Sequence, residues 1–372
     1  MTRIAPQKTL PIKQQGAALI IAMLILSIVV VITATMTVEH NFHVRRVSNQ
    51  LAASQVYGIL RGTEAFAYKA LAVDAKLDDD NGLVVDNVAE FWAGEKDFIF
   101  DEVLFRGELI DLQGRFNLNS LLVNHVKGAP IPSNNSQAIF IRLLQTFELE
   151  EGVTLSYDEA QDITEAIVDY IDPDEDYAFG CGEDSGYFSI ENRAPHRTAN
   201  QAFHSVSELR LICNLPVAIY RQLVPIVTVW PVSGEAGFNI NTASVNLLQA
   251  ILLPDDASYK AVRDDKKYPT APFEMSIDQK KELQMAQGFV ARDEGGIGDT
   301  SEGWDKHDAA QTYFAQSFNN AKLWPTTSLV LGSNYFLLVS DGKLADVNIH
   351  LESVISREGG TMQVLARSTG GL

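Results

Sequence analysis

The chain has 372 residues, 46% hydrophobic and 21% charged, with 29 basic against 48 acidic side chains and a formal net charge of −19. That length accommodates a membrane anchor plus two or three folded units. The acidity excludes the broadly basic surface that displaces counterions from nucleic-acid phosphate, and the two cysteines, Cys181 and Cys213, match no zinc spacing.

Residues 1–16 carry Arg3, Lys8 and Lys13 and no acid, and the stretch from Ala17 to Val38 carries no charge at all. At 1.5 Å per residue this apolar run makes about 33 Å of helix, enough to cross a hydrocarbon core of about 30 Å. It contains neither proline nor glycine, so a continuous helix is its natural form in lipid. Positive charge before the run and none until Glu39 after it put the N-terminus inside and the following residues outside. The run is too long for a cleaved secretory signal, and no small-x-small site follows it. Helical character continues over 39–70, where Leu51, Val56, Leu60 and Ala67 keep roughly 3.6-residue spacing.

Between 98 and 112, FIFDEVLFRGELIDL reads as short apolar strands around polar turns. The middle reads as helical: ITEAIVDYI (163–171), SVSELRLICNLP (205–216) and SVNLLQAILL (244–253). The chain closes on strands, YFLLVS from Tyr335 and then VNIHLESVI, where Val347, Ile349 and Leu351 alternate with Asn348, His350 and Glu352. Strands early, helices in the middle and strands late predict an α+β body with a large helical insertion. Two segments echo each other, GRFNLNSLL (114–122) and AGFNINTASVNLL (236–248), each setting polar caps before an apolar helical run. Phe203, Leu209, Leu215 and Tyr220 have the spacing of a small helix-turn-helix unit.

One run carries site chemistry, Asp172-Pro173-Asp174-Glu175-Asp176 through Glu183-Asp184. With Asp172 as position 1, acids fall at positions 1, 3, 5 and 12, the spacing of an EF-hand loop. Tyr177 stands where that loop needs glycine, which points to a calcium loop of another kind, held by carboxylate oxygens. The clusters Asp78-Asp79-Asp80-Asn81-Gly82 and Asp293-Glu294 read as solvated turns. In an oxidising compartment Cys181 and Cys213 are disulfide candidates closing a loop of 31 residues, worth about 3 kcal/mol; two separate buried thiols is the alternative. No enzyme is expected, because no His-Glu-x-x-His or Gly-x-Ser-x-Gly occurs and the glycine-rich 294–298 lacks a phosphate-loop lysine.

The junction Gln14-Gln15-Gly16 before Ala17-Ala18-Leu19-Ile20-Ile21 resembles the prepilin signal of type IV pilins and type II secretion pseudopilins. That resemblance implies cleavage between Gly16 and Ala17, and one long helix whose first half lies in the membrane and whose second half packs on the body. Most pilins carry glutamate at the fifth mature position, which here is Ile21. In the family that glutamate meets the subunit above it in the fibre, and a carboxylate in lipid is costly without such a partner. An apolar residue there implies a tip subunit.

AIVDYIDPDEDYAFGCGEDSGYF followed by HRTANQAFHSVSELRLI resembles the helical domain of the K-type minor pseudopilins of type II secretion. The resemblance implies a pilin-like antiparallel sheet and bound calcium, with Asp172, Asp174, Asp176, Glu183, Asp184 and Asn200 as candidate ligands. It implies a leader (1–16), a transmembrane helix (17–38), a pilin-like helix with first strands (39–118), an inserted helical region with SAM or helix-hairpin-helix-like units (119–325) and the last strands (326–372). Implied partners are the I- and J-type minor pseudopilins, the major pseudopilin, and the secretin or secreted cargo; the implied place is the bacterial inner membrane, with a periplasmic body. The alternative rests on NINTAS (239–244), which resembles the start of a helix-hairpin-helix motif as in bacterial competence DNA receptors. The glycines and basic residues that grip phosphate are missing from it.

Overall fold

The computed structural model of the chain describes residues 15–81, 84–126, 129–150, 152–173, 196–254, 268–287, 304–324, 328–358 and 361–370. A single helix, α1 (Gln15–Asn81), occupies the first 67 of them. It is long and apolar enough near its N-terminus to cross a membrane, and none of residues 17–51 is buried. Its polar side chains in that half fold back on the helix: Ser27 donates to Leu24 O at 2.8 Å, Thr33 to Val29 O at 2.7 Å and Thr37 to Thr33 O at 2.8 Å. In lipid, that satisfies hydroxyls that have no water to bond.

The second half of α1 turns one stripe to the body. Val56, Leu60, Glu64, Ala67, Leu71 and Asp74 are buried at three- and four-residue spacing. Leu51, expected on the same stripe, is 67% exposed, because contact with the sheet begins one turn later. The helix also runs on through Asn81, so Asp78 belongs to its last turn and accepts a hydrogen bond from Val85 N at 3.3 Å. It is not part of a solvated turn.

The sheet has five antiparallel strands whose spatial order follows the chain: β1 (Gly94–Phe100), β2 (Val103–Asp111), β3 (Tyr335–Leu344), β4 (Val347–Ser356) and β5 (Gln363–Ser368). Asp101 and Glu102 join β1 to β2 in a two-residue turn at φ +49° and +64°, matching the right-handed twist of the hairpin. Helix α1 packs across β2, β3 and β4. Gly342 permits the approach, since a Cβ there would lie 2.6 Å from Val56 Cγ1. Two ion pairs then fix the helix: Arg367 of β5 grips Glu64 at 2.7 and 2.9 Å, and Arg357, just past β4, reaches Asp74 at 3.1 Å.

Between the neighbouring strands β2 and β3, from Asp111 to Tyr335, the chain leaves the sheet to build two helical units. The first opens at Phe116–Asn117, which pairs in parallel with Val227–Thr228 at its close, and contains α2 (Asn135–Leu144), α3 (Tyr157–Ile171) and α4 (Val217–Leu223). The second opens at Phe238–Asn239, paired in parallel with Leu329–Val330, and contains α5 (Val245–Ile251), α6 (Ile277–Ala286) and α7 (His307–Ser317). Each Phe-Asn echo is therefore the same device, a strand stub that staples a helical unit shut.

The third residue along does equivalent work in both units. Asn119 donates to Phe203 O at 3.1 Å and accepts from Phe203 N at 2.8 Å; Asn241 donates to Trp304 O at 3.0 Å and accepts from Trp304 N at 2.8 Å. One hydrophobic core runs through both units. The segment 205–216, expected as helix, makes only a 3-10 turn at Val206–Leu211 behind a Ser205–Glu208 capping box. Asn214 in the left-handed region and Pro216 prevent its continuation.

Candidate functional site

Helix α3 delivers the start of the acidic loop. Ser156 and Glu159 form a reciprocal capping box at its N-terminus, and its last residues bury Ile167, Val168, Tyr170 and Ile171. Asp172 follows as the C-cap, 8% exposed, with its N–H donating to Val168 O at 2.9 Å. The chain comes back to the same place at Asn200, whose N–H donates to Tyr170 O at 3.1 Å at φ +46°. The side-chain oxygen of Asn200 is buried and accepts no hydrogen bond from the described residues.

A buried amide oxygen without a hydrogen bond among the described residues suits a hard cation, as does a carboxylate at a helix C-terminus, where the negative end of the helix dipole adds to the attraction. Asp172 and Asn200, far apart in sequence, therefore fit the calcium that the sequence implies. Asp174, Asp176, Glu183, Asp184 and Cys181 lie outside the described residues. Cys213 is 1% exposed and disulfide-bonded. Gly16 and Ala17 both lie in the first turn of α1.

A second polar centre escaped the sequence pattern. Where α1, the sheet and the second helical unit meet, Asp86 and Asp111 are 0% and 6% exposed. Asp111 accepts from Gln113 N at 2.7 Å, Asn239 Nδ2 at 2.9 Å, and Thr242 Oγ1 and Ser333 Oγ at 2.6 Å each. Asp86 Oδ2 takes Ser333 N at 2.6 Å and the Arg357 guanidinium. Glu90 accepts from Asn87 Nδ2 at 3.1 Å and from the Trp92 indole.

Burial raises all three carboxyls: Asp111 upward, Asp86 to about 8 against the pull of Arg357, and Glu90 to about 9 with Asp74 and Asp86 adding. The folded junction thus holds protons that unfolded carboxyls release near pH 4. Its contribution to stability is greatest at acid pH and falls as pH rises towards 9. The Asn239 and Asn241 side chains of NINTAS are fully buried in this junction and against Trp304, so that motif turns inward rather than towards a phosphate.

Beside α1 lies an apolar groove of about 410 Å³, floored by Gly58 and Gly62 and walled by Phe66, Phe98, Phe105 and Leu109. A Cβ at either glycine would meet nothing within 4 Å. The neighbouring edge strand β1 leaves Ile99 77% and Phe100 65% exposed.

Comparisons with known proteins agree with one another. The family model for type II secretion system protein K matches residues 114–232. The chain is 33% identical over 261 residues to type II secretion system protein K of Aeromonas hydrophila, covering 68% of this chain and 74% of that protein. It is 28% identical over 361 residues to the protein of that name from Pseudomonas aeruginosa, covering 96% and 93%. The crystal structure of the GspK-GspI-GspJ complex from the enterotoxigenic Escherichia coli type 2 secretion system shares the fold, with a TM-score of 0.58 at 23% identity, covering 88% of this chain and all of that one.

Proposed function

The chain belongs to the type II secretion system protein K family, and from that premise we propose that it is a minor pseudopilin capping the tip of a periplasmic pseudopilus, a structural part of the export machinery and not an enzyme. The observation that carries the reading is the large insertion between β2 and β3, at the head of a helix that otherwise has the length and apolarity of a fibre-core helix. Two helical units at that point make the subunit too broad to sit in mid-fibre. Ile21 in place of the glutamate that meets the subunit above agrees with a tip position.

In this reading the leader is cut between Gly16 and Ala17. The apolar half of α1 holds the subunit in the inner membrane, with Arg3, Lys8 and Lys13 on the cytoplasmic side. I- and J-type minor pseudopilins are the immediate partners, the major pseudopilin lies below them, and the secretin or cargo lies beyond. The groove at Gly58 and Gly62 offers close approach for a partner's helix. The test is co-expression of the full chain with a prepilin peptidase and those two partners. Expected are an intact mass beginning at Ala17 and a ternary complex that Gly62→Leu weakens. An uncut chain, or partners that never co-purify, would overturn the reading.

Calcium is part of the proposal. Asp172, Asp174, Asp176, Glu183, Asp184 and Asn200 supply oxygen ligands, and the Cys181–Cys213 bond ties the loop to the core. Bound at a hundredfold over its Kd, the ion stabilises the fold by about 2.7 kcal/mol. Moving from calcium to chelator should therefore lower the melting temperature of the wild type, and lower it less in Asp172→Asn. Equal shifts in both proteins, read by scanning calorimetry, would remove the acidic loop from the metal site.

A further inference from the structure

We propose that Asp74, Asp86 and Glu90 form a second cation site, separate from the acidic loop, that takes a hard divalent ion of the calcium class and clamps the end of α1 to the segment leading into β1. One oxygen from each of the three lies within 4.8 Å of the others, the span that carboxylates reach around a single ion. Asp74 and Asp86 are 5% and 0% exposed. The independent sign of a missing ligand is Asp86 itself. Its Oδ2 takes Ser333 N and Arg357, while its fully buried Oδ1 accepts no hydrogen bond from the described residues.

Charge points the same way. Asp74 and Asp86 share the guanidinium of Arg357, and Glu90 lies within hydrogen-bonding reach of Asp74. Two carboxylates in contact need a cation or a shared proton between them. Asp111 is satisfied by four donors and needs no ion. The donors left are carboxylate oxygens, which select calcium-like ions over thiophilic metals. Such an ion would tie α1 at Asp74 to Asp86 and Glu90, beyond the helix end, and so hold the membrane helix in a fixed direction relative to the sheet.

Trp92 makes the site readable, because its indole donates to Glu90. The full chain in detergent, stripped of metal, is titrated with terbium and excited through tryptophan, then back-titrated with calcium. The Asp172→Asn background removes the acidic loop from the comparison. Sensitised emission that calcium displaces is expected in that background. Glu90→Gln should weaken terbium binding about tenfold or more, and Trp92→Phe should abolish the emission. Emission absent from the Asp172→Asn protein, or unchanged by Glu90→Gln in a chain folded by circular dichroism, would overturn the site and leave shared protons as the junction's neutralising charge. Should Glu90→Gln fail to fold, Trp92→Phe decides, since emission that survives it comes from an ion elsewhere.

Discussion

Arg357→Met is expected to cost about 3–5 kcal/mol once Asp86 is ionised, the usual penalty for removing one partner of a buried ion pair. The arginine is 8% exposed and does three things at once. It pairs with Asp74 at 3.1 Å and with Asp86, donates from Nε to Ser333 O at 2.7 Å, and lies over the Phe336 ring at 5.0 Å. Methionine restores much of the packing volume but leaves two carboxyls without their counter-charge. The pH dependence follows with a definite sign. Arg357 lowers the pKa of Asp86 against the burial that raises it, so its loss lets that pKa climb further. The penalty should then be level while Asp86 is neutral in both proteins and should grow as pH rises through about 8, where only the wild-type carboxyl ionises. Denaturant titrations of the detergent-solubilised chain across that range would check it. A penalty independent of pH would mean that packing on Phe336, not charge, is what Arg357 contributes.

The junction was invisible to pattern reading for a physical reason. Asp74 and Glu64 lie on the buried stripe of α1, where acids ordinarily break an apolar face. They are tolerated because Arg357 and Arg367 arrive from the far end of the chain, 283 and 303 residues on. No local window contains both partners. What was legible had local causes: charge-free helix length, the period-2 alternation of β4, and the turn between β1 and β2. The Phe-Asn echoes were also legible, although their role was not. The strand stubs they form pair with Val227–Thr228 and Leu329–Val330, roughly a hundred residues away. Of the acidic loop, carboxylate spacing marked Asp172, whereas family likeness alone marked Asn200. Their convergence depends on the backbone of Asn200 bonding Tyr170, which spacing cannot reveal.

Phe116→Ala should be as damaging as the loss of Arg357, about 3–5 kcal/mol, through the cavity it leaves. Phe116 is 0% exposed and sits where the two helical units meet, its ring 5.1 Å from Phe140 and stacked 5.8 Å from Phe238 at 21°. Phe238 occupies the equivalent position in the second unit, so the stack joins the two strand stubs themselves. Surrounding side chains cannot collapse easily into the space, because each stub is pinned by its paired strand and by the Asn119 or Asn241 bonds behind it. Phe238→Ala should therefore be nearly as costly, and the double variant should cost less than the two single losses added together, because the stack is counted in each. Phe98→Ala, at a ring 37% exposed on the groove wall, is the control and should cost far less. Because one core runs through both units, the loss should appear as a single earlier transition for the whole insertion. Two separate transitions, or a cost below about 1 kcal/mol for Phe116→Ala, would show that each unit stands alone and that the stack only fills the space between them.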